Sequence, residues 1–81
     1  MWQEENNALH LELKFKDFTQ AWSFMTQVAI HAERMNHHPE WSNVWNTVKI
    51  KLTTHDAGNT ITDKDKKLAK IVEEIYTSYK V

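Results

Sequence analysis

The sequence lacks cysteine and contains one glycine and one proline among its 81 residues. Without cysteine there are no disulfides, zinc–thiolate sites or thiol catalysis. A single glycine also rules out a glycine-rich phosphate-binding loop, and the scarcity of Gly and Pro predicts that most residues lie in helices and strands. No apolar run approaches the ~20 residues that a membrane span needs. We therefore expect a cytoplasmic protein that does not contact membranes.

Neither sign of charge is in marked excess. The formal net charge is -1, from 10 Lys and Arg against 11 Asp and Glu. Because nucleic-acid binders usually carry a basic excess, we expect no direct nucleic-acid partner. The chain is also short, and below roughly 70–80 residues a single core seldom supplies more than ~3–5 kcal/mol. We therefore expect one domain over residues 1–81 that associates with copies of itself, as a homodimer or a homotetramer.

Alternating apolar residues predict two strand regions, each with one buried face. The first comprises Leu9, Leu11, Leu13 and Phe15. Asn6 and Asn7 precede it as turn residues, so a short strand around residues 2–4 can pair with it as a hairpin. The second region comprises Val44, Val48, Ile50 and Leu52. A hairpin near Asn46–Thr47 can divide it.

A helix is predicted to begin after Asp17, which forms a capping box with Gln20. It ends near His37, because Pro39 disfavours helical geometry at His38. Two apolar stripes lie about 110° apart on this helix at 100° per residue. One comprises Phe18, Trp22, Met25, Ala29 and Ala32, and the second comprises Phe24, Val28, His31 and Met35. A deeply buried helix explains both stripes, but in so short a chain we favour contact of the second stripe with another subunit.

A turn at residues 56–59 leads to a last helix, which a Thr62–Asp65 capping box opens. Its apolar face comprises Leu68, Ile71, Val72, Ile75 and Tyr79. The order of strands, helix, strands and helix predicts an α+β fold in which an antiparallel sheet carries its helices on one side.

Adjacent histidines at a helix end, His37 and His38, are the most informative feature. Glu33 lies four residues before His37, so its carboxylate can hold that imidazole in place. His55 ends a strand and can converge on the same corner, and Trp41 can wall a pocket for a planar ligand. Imidazoles suit proton transfer near neutral pH, so this group predicts acid/base chemistry.

Other interpretations of these residues stay open. A His–His pair is often a surface feature, and His55 alone is typical of a solvated strand end. Zinc or iron can bind the set Glu33, His37, His38 and His55, but adjacent histidines in an extended segment point in different directions, so we predict no metal. We assign His10 and His31 to structure, and the tryptophans other than Trp41 to packing.

A longer pattern surrounds these histidines. It joins Glu-(three residues)-His-His-Pro-Glu-Trp at 33–41 to Asn-Val-Trp-Asn at 43–46 and Ile-Lys-Leu-Thr-Thr-His at 50–55. It continues through Lys16-Asp17-Phe18, Trp22, Phe24-Met25 and the start of the last helix at 62–65. Over essentially its whole length the sequence resembles the pterin-4a-carbinolamine dehydratases, which in animals are also called the dimerisation cofactor of a homeodomain transcription factor.

The resemblance implies a β-β-α-β-β-α domain with a four-stranded antiparallel sheet and two helices on one face. It implies dimers formed through the sheet and tetramers formed by packing helices. It also implies a lyase that dehydrates 4a-hydroxytetrahydrobiopterin to the quinonoid dihydropterin for aromatic amino-acid hydroxylases, with no metal or organic cofactor. The alternative is a non-catalytic binding or transcriptional coactivator module that acts through its helix surface.

The resemblance also implies roles for individual residues. His37, His38 and His55 are the catalytic histidines, with His37 and His55 as the acid/base pair and His38 mainly orienting the pterin. The pterin-binding residues include these three together with Asn36, Thr53, Thr54 and Asp56. Glu33 supports His37, Trp41 lies near the site, and Asp65 matches an acidic family position. Two departures are Asn36, where aspartate is more usual, and a turn between His55 and Asp65 that is one residue longer than in animal members.

Overall fold

One antiparallel sheet and two helices make up the fold. The computed structural model describes residues 1–79. The strands are β1 (Gln3–Glu5), β2 (Ala8–Lys14), β3 (Glu40–Val44) and β4 (Thr47–Leu52), in the sheet order β1-β2-β4-β3. The helices are α1 (Phe18–Met35) and α2 (Asp63–Thr77), with a 3₁₀ turn at His55–Ala57. This arrangement confirms the predicted β-β-α-β-β-α fold of the α+β class.

The core lies between the sheet and the helices. Leu11 pairs with Ile50 and Leu13 with Val48, so alternate residues of β2 and β4 point to the same face. These four side chains are buried in one cluster with apolar residues of both helices, namely Ala21, Phe24, Val28, Ala32, Leu68, Ala69 and Val72. The alternation that predicted the strands therefore arises from burial of one face of the sheet.

The two hairpins have different turns. Asn6 and Asn7 both take left-handed backbone angles, with φ of 53° and 61°, and join β1 to β2 as predicted. The β3–β4 turn lies at Trp45 and Asn46, one residue earlier than predicted, and β3 begins at Glu40. Asn46 bonds both backbone groups of Phe15, through its carbonyl at 2.8 Å and its side-chain amide at 3.0 Å. These long-range bonds hold the turn against the end of β2.

Helix α1 presents to the core the stripe that we expected to face another subunit. Phe24 and Val28 are fully buried, and the Phe24 ring lies 4.9 Å from that of Phe15 between centroids. In the other stripe Ala32 is buried at the end nearest the histidines, whereas Phe18 and Trp22 are 48% and 58% exposed and stack on each other. The expected orientation of α1 is therefore wrong. Because both stripes are apolar, periodicity alone does not select the one that meets the sheet.

The assignment of the remaining tryptophans to packing is also only partly right. Trp2 is half-buried against the core, whereas Trp22 and Trp45 are mostly exposed. Helix α2 buries Leu68 and Val72, and it ends at Thr77, so Tyr79 follows the helix. No helix within residues 1–79 is long and apolar enough to cross a membrane.

Candidate active site

The end of α1 sets the direction of the two adjacent histidines. Asn36 takes a left-handed conformation, with φ of 51° and ψ of 42°. The backbone amide of Asn36 donates to the Glu33 carbonyl at 3.1 Å, and the backbone amide of His37 donates to the Ala32 carbonyl at 3.0 Å. This is the Schellman arrangement, which ends a helix at a residue able to adopt positive φ. The chain therefore leaves the helix at Asn36, before His37.

His37 points to the start of α2, where it binds Asp65. Its Nε2–H donates to the Asp65 carboxylate at 2.6 Å. The Thr54 hydroxyl donates to the other carboxylate oxygen at 2.6 Å, and the Thr62 amide donates to that oxygen at 2.9 Å. Asp65 is fully buried and His37 is 7% exposed. The capping box predicted for α2 thus also holds a histidine.

The environment of Asp65 keeps it ionised. Burial by itself raises the pKa of the carboxyl, but the hydrogen bonds from Thr54, Thr62 and His37, together with the charge of His37, lower the pKa below its ordinary value. A carboxylate only accepts hydrogen bonds, so His37 carries a proton on Nε2. Its Nδ1 is then the nitrogen left for a ligand.

The sequence predicts Glu33 as the partner of His37, but the structure gives Glu33 a different partner. Its carboxylate instead accepts a 2.9 Å hydrogen bond from Nε2 of His38. The i, i+4 relation would require His37 to continue the helix, and the left-handed Asn36 turns the chain away first. The Glu33 and His38 side chains are 82% and 57% exposed, so this contact is worth at most about 1 kcal/mol.

His55 begins the 3₁₀ turn after β4. Its Nδ1 lies 2.7 Å from the side-chain oxygen of Asn59, an atom that accepts hydrogen bonds. Gly58 and Asn59 have φ of 78° and 60°. Residues 55–59 thus fold back so that Asn59 reaches the ring of His55.

The three histidines line one cleft of about 150 Å³. The lining residues come from the end of α1, the end of β4 and the start of α2: Asn36, His37, His38, Thr53, Thr54, His55, Asp56 and Lys64. The expected convergence of His55 on the His37–His38 corner is therefore confirmed. The predicted pterin-binding residues are all among the lining residues, and their roles stay predictions.

Three further residues differ from expectation. Trp41 does not line this cleft: it lies in β3 opposite Ile50 and is half-buried against the core. Lys64 and Asn59 were missed. The signal for Lys64 was its place inside the Thr62–Asp65 capping box, and for Asn59 its place in the turn four residues after His55.

A larger hollow of about 590 Å³ lies on the sheet face without helices. Its lining includes Trp41, two lysines, two glutamates and one histidine, His10. The ring of His10 already donates to the Glu5 carbonyl at 3.2 Å. We place the candidate site in the smaller cleft, because three imidazoles converge there.

Each cleft imidazole is held by an oxygen at one ring nitrogen, whereas the other nitrogen has no hydrogen-bond partner within residues 1–79. Such a histidine is oriented and can still give or take a proton. Among the same residues, no group of three or more His, Cys, Asp or Glu side chains is placed to hold a metal ion. The chemistry that these residues support is proton transfer.

Comparison with known proteins decides the family. The family model described as Pterin 4 alpha carbinolamine dehydratase matches residues 1–75. The chain belongs to this family. Proteins of Burkholderia pseudomallei strain 1710b and Burkholderia mallei, which carry the provisional name pterin-4-alpha-carbinolamine dehydratase, are each 52% identical to it over 69 residues. Each alignment covers 85% of this chain and 67% of the relative.

Two solved structures share the fold. One is described as a transcriptional coactivator/pterin dehydratase from Brucella melitensis; it is 42% identical with a TM-score of 0.87, over 91% of this chain and 80% of that one. The other is described as a pterin dehydratase-like protein that is a RuBisCO assembly factor in the alpha-carboxysome. It is 18% identical with a TM-score of 0.74, over 93% and 86% of the two chains, so this likeness concerns the fold alone.

Proposed function

We propose that this member of the family dehydrates a 4a-hydroxytetrahydropterin to the quinonoid dihydropterin, with His37 and His55 as the acid/base pair. The observation that carries the proposal is the cleft itself. Three imidazoles from two distant parts of the chain meet there, and each keeps one ring nitrogen for a ligand.

The reaction needs two proton transfers. The C4a–O bond breaks as the departing hydroxyl receives a proton and leaves as water, and the N5–H bond gives up its proton as the C4a–N5 double bond forms. One imidazolium supplies the first proton and one neutral imidazole accepts the second. The pair exchanges protons with water before the next turnover. No electrons enter or leave, so no redox cofactor is required.

Buried and exposed histidines have different parts in this proposal. The ionised Asp65 holds Nε2 of His37 by a hydrogen bond, which leaves Nδ1 for the ligand. His55 is exposed, so it exchanges protons with solvent directly. His38, exposed and held by Glu33, orients the pterin. The cleft volume of about 150 Å³ is below the ~300–1,000 Å³ of most ligand pockets, which suits the edge of a flat ring.

Stopped-flow decay of a 4a-hydroxytetrahydropterin tests the proposal. Wild-type protein should accelerate the decay, and His37→Ala and His55→Ala should each lose about 10²–10⁴-fold in kcat, the usual contribution of one acid or base. His10→Ala, which changes a histidine outside the cleft, should keep full activity. Wild-type protein that leaves the uncatalysed rate unchanged would refute the proposal.

A second candidate function is a protein-binding or transcriptional coactivator role through α1. It is favoured by the exposed, stacked Phe18 and Trp22, and by the Brucella relative described with both activities. Sizing and cross-linking with candidate partners should then give hetero-complexes that survive His37→Ala and are lost in Trp22→Ser. Finding self-association alone, as the predicted homodimer or homotetramer, would contradict this role.

A further inference from the structure

The ring of His55 has a single hydrogen-bond partner within residues 1–79, the side chain of Asn59. The two atoms, Nδ1 of His55 and Oδ1 of Asn59, are 2.7 Å apart. Neither side chain is buried, so packing contributes little to the orientation of this imidazole. Its orientation and its proton position therefore depend on Asn59.

The backbone holds Asn59 in place. The backbone amide of Asn59 donates to the Thr54 carbonyl at 3.0 Å, and the backbone amide of Gly58 donates to the His55 carbonyl at 3.0 Å. Thr54 also donates its own amide to Thr60 at 2.9 Å, so the loop is closed on both sides of Asn59. Asparagine is among the few residues that tolerate the positive φ required here.

We propose that Asn59 is a positioning residue that keeps neutral His55 protonated on Nδ1, so that Nε2 is the nitrogen that exchanges protons with the substrate. The catalytic part of this inference rests on the proposed dehydratase function. In either direction of transfer the same atom reacts: neutral His55 accepts a proton at Nε2, and charged His55 releases it from Nε2. Without Asn59 the ring can carry its proton on either nitrogen and can rotate.

The two members of the acid/base pair are then positioned from one residue. The Thr54 hydroxyl donates to Asp65, whose other oxygen holds His37. The Thr54 carbonyl accepts from the backbone amide of Asn59, whose side chain holds His55. Thr54, which follows the end of β4, thus links the positions of the two imidazoles.

The tautomer of His55 can be measured without substrate by long-range ¹H–¹⁵N correlation spectra recorded where the ring is neutral. The wild-type protein should show a protonated Nδ1 and an unprotonated Nε2. Asn59→Gly, which keeps the positive φ and removes the acceptor, should shift the ring towards Nε2–H. Asn59→Asp keeps an oxygen acceptor at this position, so its neutral His55 should carry the proton on Nδ1 as in the wild type. An Nε2–H tautomer in the wild-type protein, or spectra unchanged in Asn59→Gly, would overturn the proposal.

Kinetics test the catalytic consequence. Asn59→Gly should lower kcat by about 10-fold or more, part of the 10²–10⁴-fold typical of an acid or base, with little change in KM. Asn6→Gly is the matched control, because Asn6 also has positive φ but no hydrogen bond to a histidine, and it should keep the wild-type kcat. Equal kcat values for Asn59→Gly and wild type would refute the catalytic role.

The pH profile separates positioning from a general loss of structure. In Asn59→Asp the added carboxylate should keep His55 charged to higher pH and move the limb of kcat/KM that reports its titration upward. The other titratable groups around the cleft are the same in all variants: His37 and His38 after α1, Asp56 beside His55, and Lys64 and Asp65 on α2. An unmoved limb would count against the proposal. A dehydratase-negative wild type would refute the proposed function, and the tautomer spectra would still decide the role of Asn59.

Discussion

The two carboxylate oxygens of Asp65 accept hydrogen bonds from His37, from Thr54 and from the backbone amide of Thr62. Replacing Asp65 by asparagine turns one of these oxygens into an amino group, which donates hydrogen bonds. With the amino group towards Thr62, two donors face each other; with it towards His37, that ring has to release its Nε2 proton. Either orientation disrupts at least one hydrogen bond to a buried charge. Such bonds are worth about 1.5–3 kcal/mol each, and a buried polar group left unpaired costs about 1–3 kcal/mol.

We therefore expect Asp65→Asn to lower the free energy of unfolding at pH 7 by about 2–4 kcal/mol. This is a large part of the total, because a chain of this length has an unfolding free energy of about 4–12 kcal/mol. Urea titration followed by tryptophan fluorescence measures the difference. Asp63→Asn is the matched control: Asp63 lies in the same first turn of α2 but is exposed, so its loss should cost only about 0.3–1 kcal/mol.

The pH dependence gives the same prediction a second test. The pKa of Asp65 is lowered in the folded state, so its contribution to stability is fully present above the unfolded-state value of about 3.9. It is lost as the pH falls through the folded-state pKa. The difference in unfolding free energy between wild type and Asp65→Asn should therefore have its full value at pH 7 and decrease in strong acid. A gap within about 0.5 kcal/mol at pH 7, as for an ordinary surface substitution, would refute the reasoning, as would a gap that persists in strong acid.

Three further predictions test the rest of the structure. Glu33→Gln should change stability by less than about 1 kcal/mol in urea titration, because its partner His38 is exposed, and a larger loss would contradict that weak pairing. Phe24→Ala should cost about 3–5 kcal/mol, whereas Trp22→Ala should cost under about 1 kcal/mol by the same measurement. Similar losses for both would mean that the Trp22 side of α1 is covered in solution. Asn36→Ala should lower the melting temperature and Asn36→Gly should not, since only alanine strains the left-handed helix end; equal melting temperatures would contradict the strain.

Short-range features of the fold and of the site followed from the sequence. The Thr62–Asp65 capping box involves residues three apart, and the Asn6–Asn7 turn depends on two adjacent residues that tolerate positive φ. The histidine cleft was also foreseeable, because His37, His38 and His55 each stand at the end of a predicted element.

The partners of those histidines did not follow from the sequence. The i, i+4 spacing favoured Glu33 as the partner of His37, and it failed because Asn36 ends the helix one residue too early. Asp65 lies 28 residues from His37, so their contact depends on how α2 packs against the end of α1. No spacing in the sequence encodes that packing.

By itself the sequence determined the elements and their order, since caps, turns and alternation are local and act within a few residues. It also excluded thiol chemistry and a glycine-rich phosphate loop, because the residue types are missing. The tertiary structure alone decided which apolar stripe of α1 meets the sheet and which carboxylate holds His37. Both are choices between chemically similar alternatives, and only burial against particular neighbours distinguishes their free energies.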